Sequence, residues 1–398
     1  MFSPSNLPSA AAPGPGRDQR ASLADVRLLV LGGGGFLGYH VVTQALGAGH
    51  EVTVFSRSGH APVDGVHVVT GDRQGGAAGL AGLRGRAWDA VFDTFNDTTD
   101  GAPAIAATAA LLAGSVGTYG YVSGMSVYAP TGPDVPDETA PVRTAGRETD
   151  RLQERSLAKL AGEAAVRAHF GEQTFFPRVG IMVGPRSTRY TYWPVRLAGE
   201  DAVRAHFGDQ AFFPRVGIMV GPRSTRYTYW PVRLAGALDG SLSRTVLVPG
   251  DLDREVQYSD ARDIAAWSVR MLAEGRGGTF NAVGPGRPDT LREVLDACAV
   301  AAGAGSLADL DTVVAPEEPM RRRLLGVDEE ERPLWFPEDQ IPQLAIDSSK
   351  ALAAGLVFST PLTLATDTLA WAREADEPAL TDGAFAALEP ELVRGLRG

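Results

Sequence analysis

Short apolar segments alternate with helical stretches from residue 26 onward, a glycine-rich turn follows the first of them, and Pro, Trp and Tyr crowd the chain after about residue 184. Together these predict an α/β protein: a Rossmann-like doubly wound parallel sheet with a smaller C-terminal substrate-binding region. VRLLVL, beginning at Val26, is a strand buried on both faces. GGGGFLG follows, and YHVVTQALGAGH has helical apolar spacing, ending at Gly47 or Gly49. EVTVFSR, VHVVTGD and DAVFDTF continue as strands, APAIAATAALLAGSVG as a helix, and YGYVSGMSVYA as a fifth strand. The expected organisation is an arm at 1–25, a dinucleotide-binding domain at 26–183 to which 254–283 return, and a substrate-binding region at 184–253 and 284–398.

The chain has 398 residues, enough for one large or two ordinary domains. A formal charge of −11 argues against nucleic acid as a partner, because phosphate neutralisation needs a basic face. The single cysteine, Cys298, excludes an internal disulfide framework and reads as a small core residue. No apolar run is long enough to span a bilayer. The first 25 residues have no apolar signal core and read as a disordered arm, so the expected location is the cytoplasm. No metal is expected.

Gly32, Gly35 and Gly38 stand between the first strand and the first helix. There, residues without Cβ let backbone amides, those of Phe36 and Leu37 included, approach a pyrophosphate at a helix N-terminus. The second strand ends in Phe55-Ser56-Arg57-Ser58, with no carboxylate for a ribose diol. A guanidinium flanked by hydroxyls suits a 2′-phosphate, so NADP is expected over NAD. Asp72, followed by Arg73, is placed either to meet the adenine edge or to cap a helix. Thr94 and Phe95, ending the fourth strand, complete the expected cofactor surface.

LGGGGFLG, FSRS, GDR, FDTF, YVSGMSVY, LAKLAGEAAV, RVGIMVGP, VQYSDARDIA and FNAVGP occur in this order between about residues 26 and 284. Together they resemble the extended short-chain dehydrogenase/reductase superfamily, in its NAD-dependent epimerase/dehydratase branch. PLWFPE and ALAAGLVF resemble its actinobacterial reductase-like members. The resemblance implies a reductase, epimerase or dehydratase acting on a small polar or sugar-like metabolite, and dimers are common in that superfamily.

Two of the three catalytic groups that the resemblance implies are replaced. The hydroxyl four residues before the Tyr of the fifth-strand Val-Tyr pair falls on Gly124, and the acid/base Tyr four residues before the helix Lys falls on Arg155. The Lys is Lys159, which with Lys350 makes up all the lysine among 37 basic residues; it is expected to clamp the nicotinamide ribose. Strand alternation puts Ser126 and Tyr128 on the Gly124 face, either towards the pocket or in sheet packing. Arg155 either stabilises an oxyanion, grips a carboxylate or phosphate, or pairs on the surface with Glu154 or Asp150. The alternatives to redox chemistry are a cyclase or isomerase on the same scaffold and a catalytically silent dinucleotide sensor or partner protein.

Residues 163–199 and 200–236 are near-identical, differing only at Ala164/Asp201, Glu172/Asp209 and Thr174/Ala211. Two copies do not make an array of working repeats, since solenoids need three or more units. A recent tandem duplication or an error in the gene model is the plain account. Each unit reads as helix, strand and a Pro- and Tyr-rich loop, and the fold needs one. The first copy is expected to supply helix and strand. The surplus then forms an excursion near the substrate region, with Tyr227, Tyr229 and Trp230 free to line or cap a pocket.

Overall fold

The computed structural model describes residues 26–95, 101–129, 137–144, 151–179, 181–182, 218–222, 225–324, 334, 346–375 and 384–397. The expected N-terminal arm lies outside them. The main sheet is built from β1 (Arg27–Leu31), β2 (Glu51–Ser56), β3 (His67–Thr70), β4 (Trp88–Asp93), β5 (Val116–Tyr121), β6 (Thr174–Val179) and β7 (Gly278–Ala282). Their spatial order is β7-β6-β5-β4-β1-β2-β3, with every pair along it parallel. The order reverses between β1 and β4, which opens a crevice at their carboxyl ends.

Both faces of the sheet are covered, which is why its strands read as unbroken apolar runs. Helices α1 (Phe36–Gly47) and α5 (Ala261–Ala273) pack on one face, against Val30, Phe92, Val122 and Phe175. Helices α2 (Gly101–Leu112) and α3 (Arg151–Phe170) cover the other, against Leu29, Tyr119, Tyr121 and Phe176. Gly162 permits the close approach of α3: a Cβ there would stand 2.9 Å from the rings and methyls of Tyr121 and Ile105. On the edge strand, Lys350 Nζ donates to the Thr279 carbonyl at 2.7 Å and sits 4.8 Å from the Phe280 ring centre.

A second apolar core gathers α4 (Thr225–Asp239), α6 (Leu291–Ala302), α7 (Pro361–Ala375) and α8 (Ala384–Arg397) around the parallel pair Thr245–Pro249 and Asp311–Ala315. Cys298 is fully buried in it, and burial pushes its thiol up to about 12. The expected Pro- and Tyr-rich loop is therefore a helix in the second copy. Tyr227 and Trp230 are 0% exposed and Tyr229 is 6% exposed, so none of the three lines or caps a pocket. Tyr227, Trp230, Leu234 and Ala237 recur at helical spacing, and this stripe outweighs Pro231 inside the helix.

Among the described residues the two copies supply different halves of the repeat, and both supply a strand where they meet. Helix α3 runs unbroken across the start of the first copy at Glu163, so that copy supplies the end of α3 and all of β6. Helix α4 runs unbroken across the end of the second copy at Gly236, so that copy supplies α4. Breaking either helix would forfeit its hydrogen bonds, which leaves one surplus repeat length, 183–219, between Met182 and Val220. Here the copies lie side by side: Ile181 pairs with Ile218 and Met182 with Met219, in parallel. Ile218–Val220 pairs on its other side with Tyr258–Asp260. The expected excursion of the surplus lies outside the described residues.

Candidate functional site

The turn after β1 is shaped by contacts that exclude side chains at two glycines. Gly32 has φ +95°, and a Cβ there would meet Thr94 Oγ1 at 2.4 Å. A Cβ on Gly38 would lie 2.3 Å from the Gly32 carbonyl oxygen, so α1 can start this close to the loop only with glycine. Gly35 N donates to Gly32 O at 3.2 Å and closes the turn. No side chain caps α1 at Gly35. The amides of Phe36, Leu37 and Gly38 have no partner within the helix and lie at its positive end. Above the loop there is room: a Cβ on Gly34 would meet nothing within 4 Å. This cradle fits a pyrophosphate.

At the end of β2, Ser56 is half-buried and the following Arg57 exposed, with the Ser56 and Ser58 hydroxyls 3.4 Å apart. Asp72 accepts from Gln74 N at 3.0 Å and caps the short turn Arg73–Gly75, which is the plainer of its two expected roles. Arg73, expected at the cofactor surface, is buried. Its guanidinium is buried and forms a two-pronged ion pair with Asp93 at 2.6 and 2.8 Å, because a buried charge is stable only when paired.

At the end of β4, Thr94 Oγ1 donates to Leu31 O at 3.0 Å and so ties that strand to the glycine turn. The Phe95 carbonyl accepts from Lys159 Nζ at 3.0 Å, and Val122 O, just past β5, accepts from the same nitrogen at 2.8 Å. Lys159 is thus a buried ammonium bridging the carboxyl ends of β4 and β5, 4.9 Å from the Tyr121 ring centre. Its place on α3 puts Arg155 one turn before it. The side chain of Arg155 lies outside the described residues.

Past Val122 the chain departs from the expected strand. Only Ser123–Gly124 extends it, beside β6, and Met125–Val127 form a single 3-10 turn. Alternation therefore does not govern Ser126 and Tyr128. The turn carries the Ser126 Oγ to 3.8 Å from where a Cβ on Gly124 would stand. It carries Tyr128 into the core, where its hydroxyl donates to Asn281 Oδ1 at 2.8 Å and Arg178 lies over its ring. Burial raises the Tyr128 phenol, and Arg178 only partly opposes this. A buried phenol of raised pKa, already engaged with Asn281, gives up its proton poorly, so of the two expected places for Tyr128 the structure shows packing.

Sequence reasoning missed Arg143. The strap at 137–143 lies against the turn, with Ala129 N donating to Pro141 O and Arg143 N to Val127 O. Arg143 Nε donates to Ser126 O at 3.0 Å and supports the turn that presents the serine. Asp93 was missed too; only its place in FDTF, closing a strand, could have signalled it. Among the described residues no three His, Cys, Asp or Glu side chains gather to hold a metal ion. No helix there is long and apolar enough to cross a membrane.

Solved structures share this architecture over most of the chain. The UDP-Glc/GlcNAc 4-epimerase of Campylobacter jejuni superposes with a TM-score of 0.54 at 17% identity, covering 88% of this chain and 99% of that one. The fold is that of the nucleotide-sugar epimerases and dehydratases. UDP-N-acetylglucosamine 4-epimerase from Bacillus cereus gives 0.55 at 16% identity, with 89% and 99% covered. The dTDP-glucose 4,6-dehydratase of Bacillus anthracis, solved in complex with NAD, gives 0.52 at 15%, with 89% and 98% covered. No protein-family model and no curated protein matches the sequence.

Proposed function

We propose that this chain is an NAD(P)-dependent enzyme of the oxidoreductase, epimerase or dehydratase kind, acting on a small polar or sugar-like metabolite with a rebuilt catalytic centre. The observation that carries the reading is the pairing of an uncapped α1 N-terminus with Lys159, a buried ammonium fixed across the crevice at the ends of β4 and β5. The amides of Phe36, Leu37 and Gly38 would hold a pyrophosphate, Lys159 the nicotinamide ribose, and Arg57 with Ser56 a 2′-phosphate, which favours NADP. A nicotinamide bound there would supply hydride transfer.

Ser126 takes the place of the hydroxyl absent at Gly124 and hydrogen-bonds the reacting oxygen of the substrate. Arg155, a fixed cation one turn from Lys159, grips an anionic group or a developing oxyanion. This set lacks the Tyr hydroxyl that the resemblance implies as acid/base, since Arg155 stands in its place. That observation favours a second reading, a dinucleotide-binding sensor or partner that turns nothing over. A non-redox isomerase or cyclase is the remaining enzyme variant. The test is native mass spectrometry with NAD, NADP and their reduced forms, followed by hydride exchange with candidate carbonyl substrates. Selective NADP(H) binding with exchange supports the enzyme, binding without exchange supports the sensor, and no binding ends both.

A further inference from the structure

We infer that Arg73 is a positioning residue, which holds Lys159 and the glycine turn in one geometry through Asp93 and the backbone of Thr94 and Phe95. The inference rests on the reading of Lys159 as a cofactor clamp.

Asp93 is 0% exposed and every contact of its carboxylate points to order. Its two oxygens take both prongs of the Arg73 guanidinium. Tyr119 OH donates to Oδ2 at 2.8 Å and Phe95 N to Oδ1 at 2.9 Å. Arg73 Nε donates to Thr108 Oγ1 at 3.1 Å, which locks the guanidinium to α2. The same guanidinium lies 4.5 Å from the Phe95 ring centre. Phe95 is therefore held at its amide by Asp93 and at its ring by Arg73, and its carbonyl is the one that receives Lys159.

The intervening residue is the other arm. Thr94 N and Oγ1 both donate to Leu31 O, and the hydroxyl presses on Gly32. One ion pair thus anchors a three-residue segment that touches the expected pyrophosphate cradle on one side and the expected ribose clamp on the other. Burial works against the charge of Arg73, yet Asp93 together with Tyr119 and Tyr121 outweighs it, and burial with Asp93 raises the Tyr119 phenol well above its ordinary value.

A merely structural pair can be exchanged for apolar residues of similar volume without loss of the fold, whereas a positioning pair loses its hold on Phe95. The experiment uses the full chain with Arg73→Met and Asp93→Leu combined, labelled with lysine carrying 15N at the ε-amine. Two side-chain resonances result, since Lys159 and Lys350 are the only lysines. In the folded variant the Lys159 resonance should move and its protons exchange with water about tenfold faster or more, while Lys350 stays in place. NADP should bind about tenfold more weakly, as loss of orientation implies. A folded variant with an unmoved Lys159 resonance overturns the inference. Should the pair variant not fold, Asp93→Asn is read by the same resonance. If the natural chain binds no dinucleotide but the Lys159 resonance still moves, the positioning role stands and the cofactor reading falls.

Discussion

The Ser126 hydroxyl lies 3.8 Å from the point where a Cβ on Gly124 would stand, and the Val179 carbonyl lies 3.7 Å from it. Gly124 is in extended backbone, φ −151° and ψ 154°. Nothing there requires glycine. Gly124→Ser should therefore fold with stability within about 0.5 kcal/mol of the natural chain in urea denaturation. Ser126→Ala should lower hydride exchange about 100-fold if its hydroxyl holds the reacting oxygen. Gly124→Ser combined with Arg155→Tyr should raise it. Equal rates in all variants would remove Ser126 from the chemistry.

Arg57 is exposed beyond β2, between Ser56 and Ser58. If it selects the 2′-phosphate, Arg57→Ala should weaken NADP about tenfold or more and leave NAD nearly unchanged, because a charge-assisted hydrogen bond to phosphate is worth about 1.5–3 kcal/mol. Calorimetric titration with both dinucleotides reads the ratio. Parallel losses for both would assign Arg57 no selective role.

Glu389, on α8, accepts from Arg233 at 2.8 and 3.0 Å, from Tyr229 OH at 3.1 Å and from Leu247 N at 2.8 Å. Removing it leaves Arg233 buried without its anion. Glu389→Ala should cost about 3–5 kcal/mol in chemical denaturation. It should also expose α8 to proteolysis before the main sheet.

Glu293 closes a capping box with Thr290, whose amide donates to it at 2.7 Å, and it pairs with Arg287. The Thr290 amide, then Arg287, holds its carboxyl below the usual 4.5. A depressed carboxyl pKa stabilises the fold above the unfolded value and loses that contribution as pH falls through the folded one. Glu293→Gln should thus lower Tm at pH 7, with the difference from the natural chain vanishing as pH falls through the depressed folded value. A difference that persists in acid would mean that packing, not charge, is responsible.

Deleting residues 183–219 joins Met182 directly to Val220 and regenerates a single RVGIMVGPRST. Since α3 and α4 keep their continuity, the shortened chain should keep its far-ultraviolet spectrum and its Tm within a few degrees. A collapse of either would mean that the surplus is built into the core.

The alternation of strands and helices up to β6, the glycine turn and the place of Lys159 are legible in the letters, because a parallel sheet leaves continuous apolar runs and a tight turn demands glycine. Three things are not. Asp93 looks like any strand-closing acid until the fold brings Arg73 to it from twenty residues before. Strand alternation places Ser126, yet a 3-10 turn, invisible in so short a stretch, sets its direction. Tyr227 and Trp230 read as loop aromatics because Pro231 masks the helical stripe, which only packing against α6 and α7 makes decisive.

Lys350 is exposed on the β7 edge, whereas Lys159 is shut between the strand ends. Among side-chain amines the surface therefore offers one handle, and it stands at the opposite edge of the sheet from β2 and β3. Coupling through that side chain would attach the molecule at the sheet edge farthest from the Arg57 loop. Dinucleotide binding could thus be tried on molecules whose lysine attachment leaves the glycine turn clear of the tether.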